Sequence, residues 1–342
     1  MVSVLVAMSG GVDSSVAAAL LHEAGYEVVG VTLRLWGGES DTGCCSVSDV
    51  DDARRVADKL GIDHHVFNLG DDFDRHVVAP YVADHASGRT PNPCVECNRH
   101  IKFDRLLDRA RVLGFDQLAT GHHARIVERP DGTFRIARAI DRAKDQSYVL
   151  HMLEQHQLEH LVFPVGHLTK DEVRAEAFRL GLRIAAKPDS QDVCFITRNN
   201  GRAEFLARRI ALTPGRVVEK SGHQVGRVDA VELVTVGQRH GMDLAGGYGP
   251  RYATEVDVAS ATVTVGEAAD LLVNHTLVEM VTGAQKAARG RLLVQTSAHG
   301  TPRWAEISPT RIRWEEPTRR VAPGQSVVFY EDDEVVGGGL AV

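Results

Sequence analysis

Two groups of residues in this 342-residue chain carry side chains that can do chemistry. The first is the segment Ser9–Ser15, which reads Ser-Gly-Gly-Val-Asp-Ser-Ser and directly follows the apolar run Val2–Met8. The second is a set of three thiols at Cys94, Cys97 and Cys194. The first group has the composition of a phosphate-binding turn, and the second has the residue type that sulfur or metal chemistry requires.

The segment Ser9–Ser15 predicts a tight turn from a buried strand into a helix that begins near Val12. Unpaired amide groups and the positive end of the helix dipole make such a turn an anion-binding site. The segment lacks the lysine of a kinase-type phosphate loop, and it differs from the glycine pattern of dinucleotide-binding folds. Asp13 either caps its helix or holds Mg²⁺ on a bound nucleotide, and we favour the magnesium role.

The cysteines allow several chemistries. Cys94 and Cys97 form a Cys-x-x-Cys pair, but a structural zinc site of the usual kind needs a second pair, which the sequence lacks. Thioredoxin-type chemistry fits only loosely, and the surroundings of Cys194 are also typical of a packed core. Cys44 and Cys45 lie in a glycine-rich loop, and we interpret them as incidental thiols. In a reducing compartment all five are expected to be free, metal-bound or catalytic.

Strands and helices alternate over the first 200 residues, which predicts an α/β domain with a doubly wound parallel sheet. The predicted strands are Val2–Met8, Glu27–Leu35, His65–Leu69 and Asp116–Ala119. The predicted helices are Val12–Ala24, Val47–Leu60, 71–86, 98–113 and one that ends near Leu180, and a hairpin is expected over Ala124–Ile140. The last of the strands runs into His122 and His123, so we expect one of them in the site rather than in a solvated loop.

From Gly215 onward, short β-branched runs separated by glycine-rich turns such as Ala245–Pro250 predict β structure. We therefore predict three domains. They are an α/β domain at 1–209, a small β domain at 210–268 and a C-terminal β-barrel at 269–342.

The net charge is −7, but the basic residues are clustered. Residues 97–144 carry 11 Lys and Arg against 6 acids, and residues 281–320 carry 8 against 3, which predicts a basic face for a phosphate backbone. The acidic run Glu331–Glu334 is interpreted as a solvated turn without function. The sequence has neither an apolar stretch of membrane-spanning length nor a signal peptide, so we expect a cytoplasmic protein with no membrane partner.

The Ser9–Ser15 segment resembles the PP-loop of ATP pyrophosphatases, enzymes that adenylate a substrate and release pyrophosphate. Over nearly its whole length the chain resembles the tRNA-specific 2-thiouridylases. The matching stretches are Ala7–Ser15, Arg89–Pro93 through Cys97 and Asn98 with Ile101–Phe103, Ala119–Ala124, Lys144–Tyr148, Asp189–Phe195 and Ala322–Tyr330.

This resemblance implies ATP-dependent 2-thiolation of the wobble uridine of tRNA, with Mg²⁺ on the ATP. It implies that Cys97 is the nucleophile, that Cys194 carries a persulfide, and that a sulfur donor protein, a cysteine desulfurase or a relay carrier, supplies the sulfur. The implied ATP contacts are Ala7, Met8, Ser9, Gly10, Gly11, Val12, Asp13, Ser14, Leu33 and Gly121. The implied contacts to the target base are Asn92, Pro93 and Cys94, and those to tRNA are His122, Lys144, Asp145, Gln146 and Gln325.

The chain departs from the family at Cys94, where many members carry an acid. Cys94, Cys97 and Cys194 together have the thiolates to hold an iron–sulfur cluster with one open iron, which is an alternative to the persulfide relay. Two further alternatives stay open. Another PP-loop ligase or amidotransferase would not need Cys97 and Cys194, and an RNA-binding adaptor without enzymatic activity would not need the intact Ser9–Ser15 loop.

Overall fold

The computed structural model describes residues 1–35, 47–188, 193–196, 201–245, 249–282 and 288–342. The strands of the first half are β1 (Ser3–Ala7), β2 (Glu27–Arg34), β3 (His64–Asn68), β4 (Gln117–Thr120), β5 (Ala124–Glu128), β6 (Phe134–Arg138) and β7 (Leu161–Val162). The helices are α1 (Val12–Glu23), α2 (Val47–Leu60), α3 (Gly70–Phe73), α4 (Ala79–Ala86), α5 (Pro93–Glu96), α6 (Leu107–Val112), α7 (Gln155–Leu158), α8 (Lys170–Arg179) and α9 (Gly201–Ala207).

The strands of the second half are β8 (Gly215–Glu219), β9 (Gln224–Val228), β10 (Asp243–Leu244), β11 (Tyr252–Asp257), β12 (Thr262–Gly266), β13 (Leu272–Thr282), β14 (Gly290–Gln295), β15 (Arg303–Ser308), β16 (Arg311–Arg319), β17 (Ser326–Glu331) and β18 (Glu334–Ala341). Wide π-helical turns cover Asp74–Val78 and Cys97–Leu106. Short 3₁₀ turns cover Ser147–Leu150, Pro164–His167, Arg183–Ala186, Val231–Leu233 and Ala268–Leu271.

The first sheet confirms the predicted doubly wound α/β fold. Within the described residues it has five parallel strands in the order β3-β2-β1-β4-β7. Val4, Leu5 and Val6 of β1 are all fully buried, because helices cover both faces of the sheet. Leu5 packs in the core on one face, while Val4 and Val6 pack with α1 and α8 on the other. The carboxyl ends of β1, β2 and β4 therefore meet at the edge where a ligand is expected.

The helix that carries the cysteine pair begins earlier than the sequence predicts. We expected it to start near residue 98, but α5 begins at Pro93 and continues without a break through the π-helical turn into α6. The Asn92 side chain explains the early start, because its Oδ1 accepts a hydrogen bond from the backbone N–H of Cys94 at 3.1 Å. Both Cys94 and Cys97 consequently lie on helix rather than in the preceding loop.

The second half is β structure, as predicted. A small mixed sheet has the order β10-β9-β8-β12-β11, and a barrel of antiparallel strands follows in the order β13-β16-β15-β14-β17-β18. Pairing of β13 with β18 closes the barrel. Its interior is filled by apolar side chains such as Ile312, Trp314, Val327 and Phe329.

The predicted hairpin is confirmed, but it joins the last sheet. Strand β6 pairs with β18 at Ala137 and Glu334, and β5 pairs with β6. The acidic turn, residues 331–334, therefore lies against the basic hairpin. Its ion-pair partners are Arg125, Arg129, Arg135 and Arg142. Our interpretation of residues 331–334 as a solvated turn did not include these ion pairs. Because the acidic turn pairs with these arginines, part of the predicted basic face is neutralised within the chain.

Among the described residues, no helix combines the length and apolarity that crossing a membrane would require. Cys44 and Cys45 lie outside the described residues, as do parts of the stretches Ala245–Pro250 and Asp189–Phe195.

Candidate active site

A cavity of about 1030 Å³ opens at the carboxyl ends of β1, β2 and β4. It is at the upper end of the range for small-molecule sites, so it has room for a nucleotide and part of a second substrate. Predicted site residues that line it are Ala7, Met8, Ser9, Gly11, Val12, Asp13, Ser14, Leu33, Pro93, Cys94, Cys97, Gly121, His122, Lys144, Asp145, Gln146 and Cys194. Gly10, Asn92 and Gln325 are not among the lining residues.

The Ser9–Ser15 loop is held in shape by its own hydroxyl groups. The backbone N–H of Ser9 donates to Ser14 Oγ at 3.1 Å, and Ser14 Oγ donates to the carbonyl of Gly11 at 3.2 Å. Ser15 Oγ donates to the same carbonyl at 2.9 Å. These contacts fix the turn before the first turn of α1, where backbone N–H groups have no partner within the helix. The loop is therefore organised for an anion at the end of β1.

Two glycines allow this loop to sit close to neighbouring backbone. Gly10 has a φ of +70°, and a Cβ there would lie 2.3 Å from the carbonyl oxygen of Asp49. A Cβ on Gly121 would lie 2.4 Å from the backbone nitrogen of Ser14. Gly121 therefore lets the end of β4 pack directly against the start of α1.

Asp13 is the electrostatic centre of the loop. Lys170 Nζ donates to both of its carboxylate oxygens, at 2.7 and 2.8 Å, and His123 Nε2 lies 3.0 Å from Oδ1. Burial alone would raise the pKa of Asp13, but the hydrogen bonds and charges of His123 and Lys170 outweigh it and lower the pKa below its usual range. The carboxylate is therefore ionised at neutral pH. A single ionised carboxylate beside a phosphate site is the ligand pattern of a nucleotide-bound Mg²⁺.

A half-buried lysine ties the loop to the segment that leads to Cys194. Lys187 Nζ donates to the carbonyl of Gly10 at 3.0 Å and to the carboxylates of Asp49 and Asp52 at 2.8 and 2.7 Å. Burial lowers the pKa of Lys187, but the two carboxylates raise it by more. Lys187 therefore stays charged and links the loop, α2 and its own segment.

Cys97 and Cys194 line the same cavity, although they are far apart in the sequence. Cys97 is buried, Cys194 is half-buried and Cys94 is exposed. The ring of Phe195 packs against those of Phe73 and Tyr81, with centroids 5.7 and 5.4 Å apart, and so anchors the segment that carries Cys194. In the part of the chain that the structure describes, no group of three or more His, Cys, Asp or Glu side chains is placed to hold a metal ion.

His122 is a buried, neutral member of the cavity wall. Its Nδ1 lies 2.6 Å from the hydroxyl of Thr120, and its ring packs between Phe103 and Phe163. Burial, followed by the charges of Lys102 and His123, holds the pKa of His122 well below its usual value. Its surroundings favour a structural contribution over a direct contact with a large polyanion.

The side chains of three other residues implied as tRNA contacts form hydrogen bonds within the protein. Asp145 is buried, accepts from Arg138 at 3.1 Å, and also accepts from the backbone of Ala139 and from Ser147. Gln146 accepts from the backbone N–H of His123, and Gln325 Nε2 donates to the carbonyl of Thr90 at 2.6 Å.

Lys170 and Lys187 are site residues that our sequence analysis missed. One signal was present for Lys170, because it follows the capping residue Thr169 and so opens α8. A cation in the first turn of a helix faces the positive end of the helix dipole, which is unusual without a nearby anion. For Lys187 the local sequence held no comparable signal.

Three family models match successive parts of the chain. They are described as a tRNA methyl transferase HUP domain over residues 2–198, a tRNA methyl transferase PRC-barrel domain over 203–267, and an aminomethyltransferase beta-barrel domain over 275–341.

The relatives that match over nearly the whole chain have a name that differs from the descriptions of these family models. The chain is 47% identical to the tRNA-specific 2-thiouridylase MnmA of Chloroflexus aurantiacus, covering 99% of this chain and 98% of that protein. It is 46% identical to the protein of that name from Roseiflexus sp., covering 99% of each. Among solved structures, a 4-thiouridine synthetase in complex with RNA and bound ATP matches with 19% identity and a TM-score of 0.38, covering 56% of this chain and 44% of that chain.

Proposed function

The chain belongs to the family of tRNA-specific 2-thiouridylases, and we propose from this premise that it catalyses ATP-dependent 2-thiolation of uridine 34 in tRNA. The observation that carries the proposal is that the Ser9–Ser15 loop and the thiols of Cys97 and Cys194 line the same cavity. Methyl transfer, which the family-model descriptions name, needs neither a nucleotide-phosphate loop nor two cysteines. The cavity therefore supports the name that the relatives carry.

The reaction has two parts. The C2 oxygen of uridine attacks the α-phosphorus of ATP, pyrophosphate leaves, and the oxygen becomes part of a good leaving group, AMP. A persulfide on Cys194 then attacks C2 through its terminal sulfur, and AMP departs. Finally the thiolate of Cys97 attacks Cys194 Sγ, which forms a Cys97–Cys194 disulfide and leaves the outer sulfur on the base. An external thiol reductant returns both cysteines to thiols, and the sulfur donor then reloads Cys194 with a persulfide.

ATP is the nucleotide of this enzyme family, and we place its phosphates on the Ser9–Ser15 loop. The adjoining contacts proposed for the nucleotide are Ala7, Met8, Ser9, Gly10, Gly11, Val12, Asp13, Ser14, Leu33 and Gly121. Of these, Gly10 acts through its backbone conformation, because its carbonyl already accepts from Lys187. Asp13 fits a Mg²⁺ bound to the phosphates, which would offset their negative charge.

The target base must leave the anticodon stack to reach a cavity of this kind, because the reacting carbon is inaccessible while the base is stacked. Pro93 and Cys94 line the cavity beside Cys97 and are proposed to contact this base. Asn92 contributes indirectly by capping α5. Lys144 also lines the cavity and is our strongest candidate for a phosphate contact.

For the buried residues in this group we propose positioning roles. Asp145 and Gln146 shape the loop that presents Lys144, through their hydrogen bonds to Arg138 and His123. His122 fills the wall of the cavity, and Gln325 attaches the barrel to the loop that precedes α5.

The persulfide relay is preferred over an iron–sulfur cluster. Cysteines 94, 97 and 194 all lie in the described residues, and they do not form a group placed to hold a metal. The amidotransferase alternative leaves Cys97 and Cys194 without a purpose, and the adaptor alternative leaves the organised loop without one.

We also propose the following assignments at the level of the molecule. The chain divides into domains at 1–209, 210–268 and 269–342, and the two β domains hold the tRNA body. The sulfur reaches Cys194 from a cysteine desulfurase or a relay carrier, and the reaction takes place in the cytoplasm.

The test is to incubate the protein with ATP, Mg²⁺, unmodified tRNA, a thiol reductant and a cysteine desulfurase with free cysteine as the persulfide source, and to digest the tRNA to nucleosides. We expect 2-thiouridine at position 34 and one AMP for each sulfur incorporated. A tRNA with cytidine at position 34 is the control and stays unmodified. Transfer of a methyl group, or amidation of a carboxylate or a purine without a requirement for the cysteines, would contradict the proposal.

A further inference from the structure

Lys170 has a placement that the reaction described above does not explain. It is the first residue of α8, it is 7% exposed, and its ammonium contacts both carboxylate oxygens of Asp13. The first turn of a helix disfavours a cation, and burial of an ammonium is unfavourable unless a counter-charge is near. A buried lysine at this position is therefore expected to bind an anion.

The anion that Lys170 contacts here is a residue of the nucleotide loop. Asp13 lies in the first turn of α1, so the contact brings together the amino-terminal ends of α1 and α8. These helices have 12 and 10 residues, and the dipole of each adds positive potential at that end. Lys170, Asp13 and the loop all line the cavity. The positive potential is thus concentrated beside the place where the phosphates are proposed to bind.

We infer that Lys170 binds the β- and γ-phosphates of ATP and stays on pyrophosphate as it leaves. The inference rests on the proposed function, because it assumes that ATP occupies this cavity. When ATP binds, the ammonium turns from Asp13 to the phosphates, and Asp13 becomes available to the Mg²⁺ that accompanies them. The buried ammonium and the half-buried carboxylate each keep a partner before and after the exchange, which limits its cost.

The role of Lys170 in the reaction follows from where charge develops. As the uridine C2 oxygen forms its bond to the α-phosphorus, the bond from that phosphorus to the bridging oxygen breaks. The electron pair leaves with pyrophosphate, so negative charge grows on the β-phosphate. An ammonium held beside that group stabilises the growing charge without having to be recruited from solvent.

The test measures nucleotide affinity in excess EDTA, so that only groups of the protein are compared. Dissociation constants for ATP, AMP and inorganic pyrophosphate are determined for the wild type and for Lys170→Met. We expect Lys170→Met to weaken the binding of ATP and of pyrophosphate by about 10- to 100-fold, the range for loss of a charge-assisted contact. Affinity for AMP, which lacks the β- and γ-phosphates, should stay within about twofold of the wild type. The AMP measurement also shows that the variant is folded.

Two controls separate this role from simpler ones. Lys59→Met makes the same substitution at an exposed lysine of α2, whose ammonium contacts the carbonyl of Gly181, and should change none of the constants. If Lys170 serves only to neutralise Asp13, the double variant Asp13→Asn/Lys170→Met will bind ATP as well as Asp13→Asn alone. That result would overturn the inference. An equal loss of affinity for ATP and AMP in Lys170→Met, or no loss of affinity for ATP, would overturn it as well.

Failure of this inference is distinguishable from failure of the proposed function. If wild-type protein binds ATP and forms 2-thiouridine while Lys170→Met binds ATP normally, only the role of Lys170 is wrong. If Lys170→Met shows the expected selective loss but the wild type forms no 2-thiouridine, the proposed function is wrong and the role of Lys170 stands.

Discussion

At the scale of single residues, the cavity depends on side chains that are distant in the sequence. Asp13 receives hydrogen bonds from His123 and Lys170, which lie 110 and 157 positions away. Cys97 and Cys194 belong to different segments and line the same cavity. Chemistry at such a site requires the fold to be complete, so single substitutions test the geometry as well as the chemistry.

The three thiols should respond differently to removal. We expect Cys97→Ser and Cys194→Ser each to lower the rate of thiolation by at least about 10³-fold, because no other group can replace the persulfide or the resolving thiolate. Cys94→Ser should only slow it, because Cys94 is exposed and takes no part in the relay. The rate of 2-thiouridine formation under single turnover is the measurement. Full loss of activity in Cys94→Ser, together with iron in active wild-type protein, would support the cluster instead.

Gly121 tests the close packing of β4 against the nucleotide loop. Gly121→Ala places a Cβ 2.4 Å from the backbone nitrogen of Ser14, so the loop has to move. We expect ATP affinity to fall by about tenfold or more, because a shift of the loop misaligns its N–H groups. Gly249→Ala is the matched control, since nothing lies within 4 Å of a Cβ there. Unchanged ATP affinity in Gly121→Ala would show that the phosphates do not bind this loop.

At the scale of elements, the sequence predicted most of the first domain correctly. The boundaries of α2 were predicted without error, and those of β1 and β2 to within one residue, because glycine breaks and runs of apolar residues are local signals. The start of α5 was missed, since it depends on the Asn92 side chain turning back onto Cys94. The pairing of the hairpin with β18 was missed as well, because a hairpin signal does not identify which sheet it joins.

The contact between the acidic turn and the hairpin leads to a prediction. Glu334 pairs with both Arg129 and Arg135, so Glu334→Gln removes two ion pairs between the hairpin and the barrel. We expect the melting temperature to fall by about 2 °C at low salt, because partly exposed pairs contribute little. The difference should shrink in 1 M NaCl, which screens the pairs. Glu128→Gln, at an exposed position of β5, is the control. An equal loss of stability in both variants would argue against these pairs as the cause.

At the scale of the whole molecule, the barrel and the α/β domain share a buried interface. His151 packs its ring against β18, where a Cβ on Gly338 would lie 2.3 Å from the ring. Tyr148 donates from its hydroxyl to the carbonyl of Ser326, and Ser147 contacts the hydroxyl of Tyr330. These contacts join residues more than 170 positions apart, which is why no local sequence pattern predicted them.

This interface should make stability depend on pH. Burial lowers the pKa of His151 from 6.5 to about 4, so the folded protein resists a proton that the unfolded chain takes up. The stabilising effect is complete above pH 6.5 and is lost as the pH falls towards 4, at up to about 1.4 kcal/mol per pH unit. The free energy of unfolding, measured with urea at several pH values in this range, should fall as the pH falls. The slope of this free energy against pH should be smaller by about that amount in His151→Asn, and unchanged in His156→Asn, which alters an exposed histidine. Equal slopes in all three proteins would contradict the assignment.

The central claim is that Cys97 and Cys194 act together in the cavity that binds ATP, and disulfide mapping after a single turnover tests it most directly. Protein loaded with persulfide is mixed with ATP, Mg²⁺ and unmodified tRNA, quenched with an alkylating agent and digested for mass spectrometry. The account predicts a Cys97–Cys194 disulfide in a one-to-one ratio with 2-thiouridine, and none when ATP or tRNA is omitted. Formation of 2-thiouridine with both thiols recovered in alkylated form would contradict it.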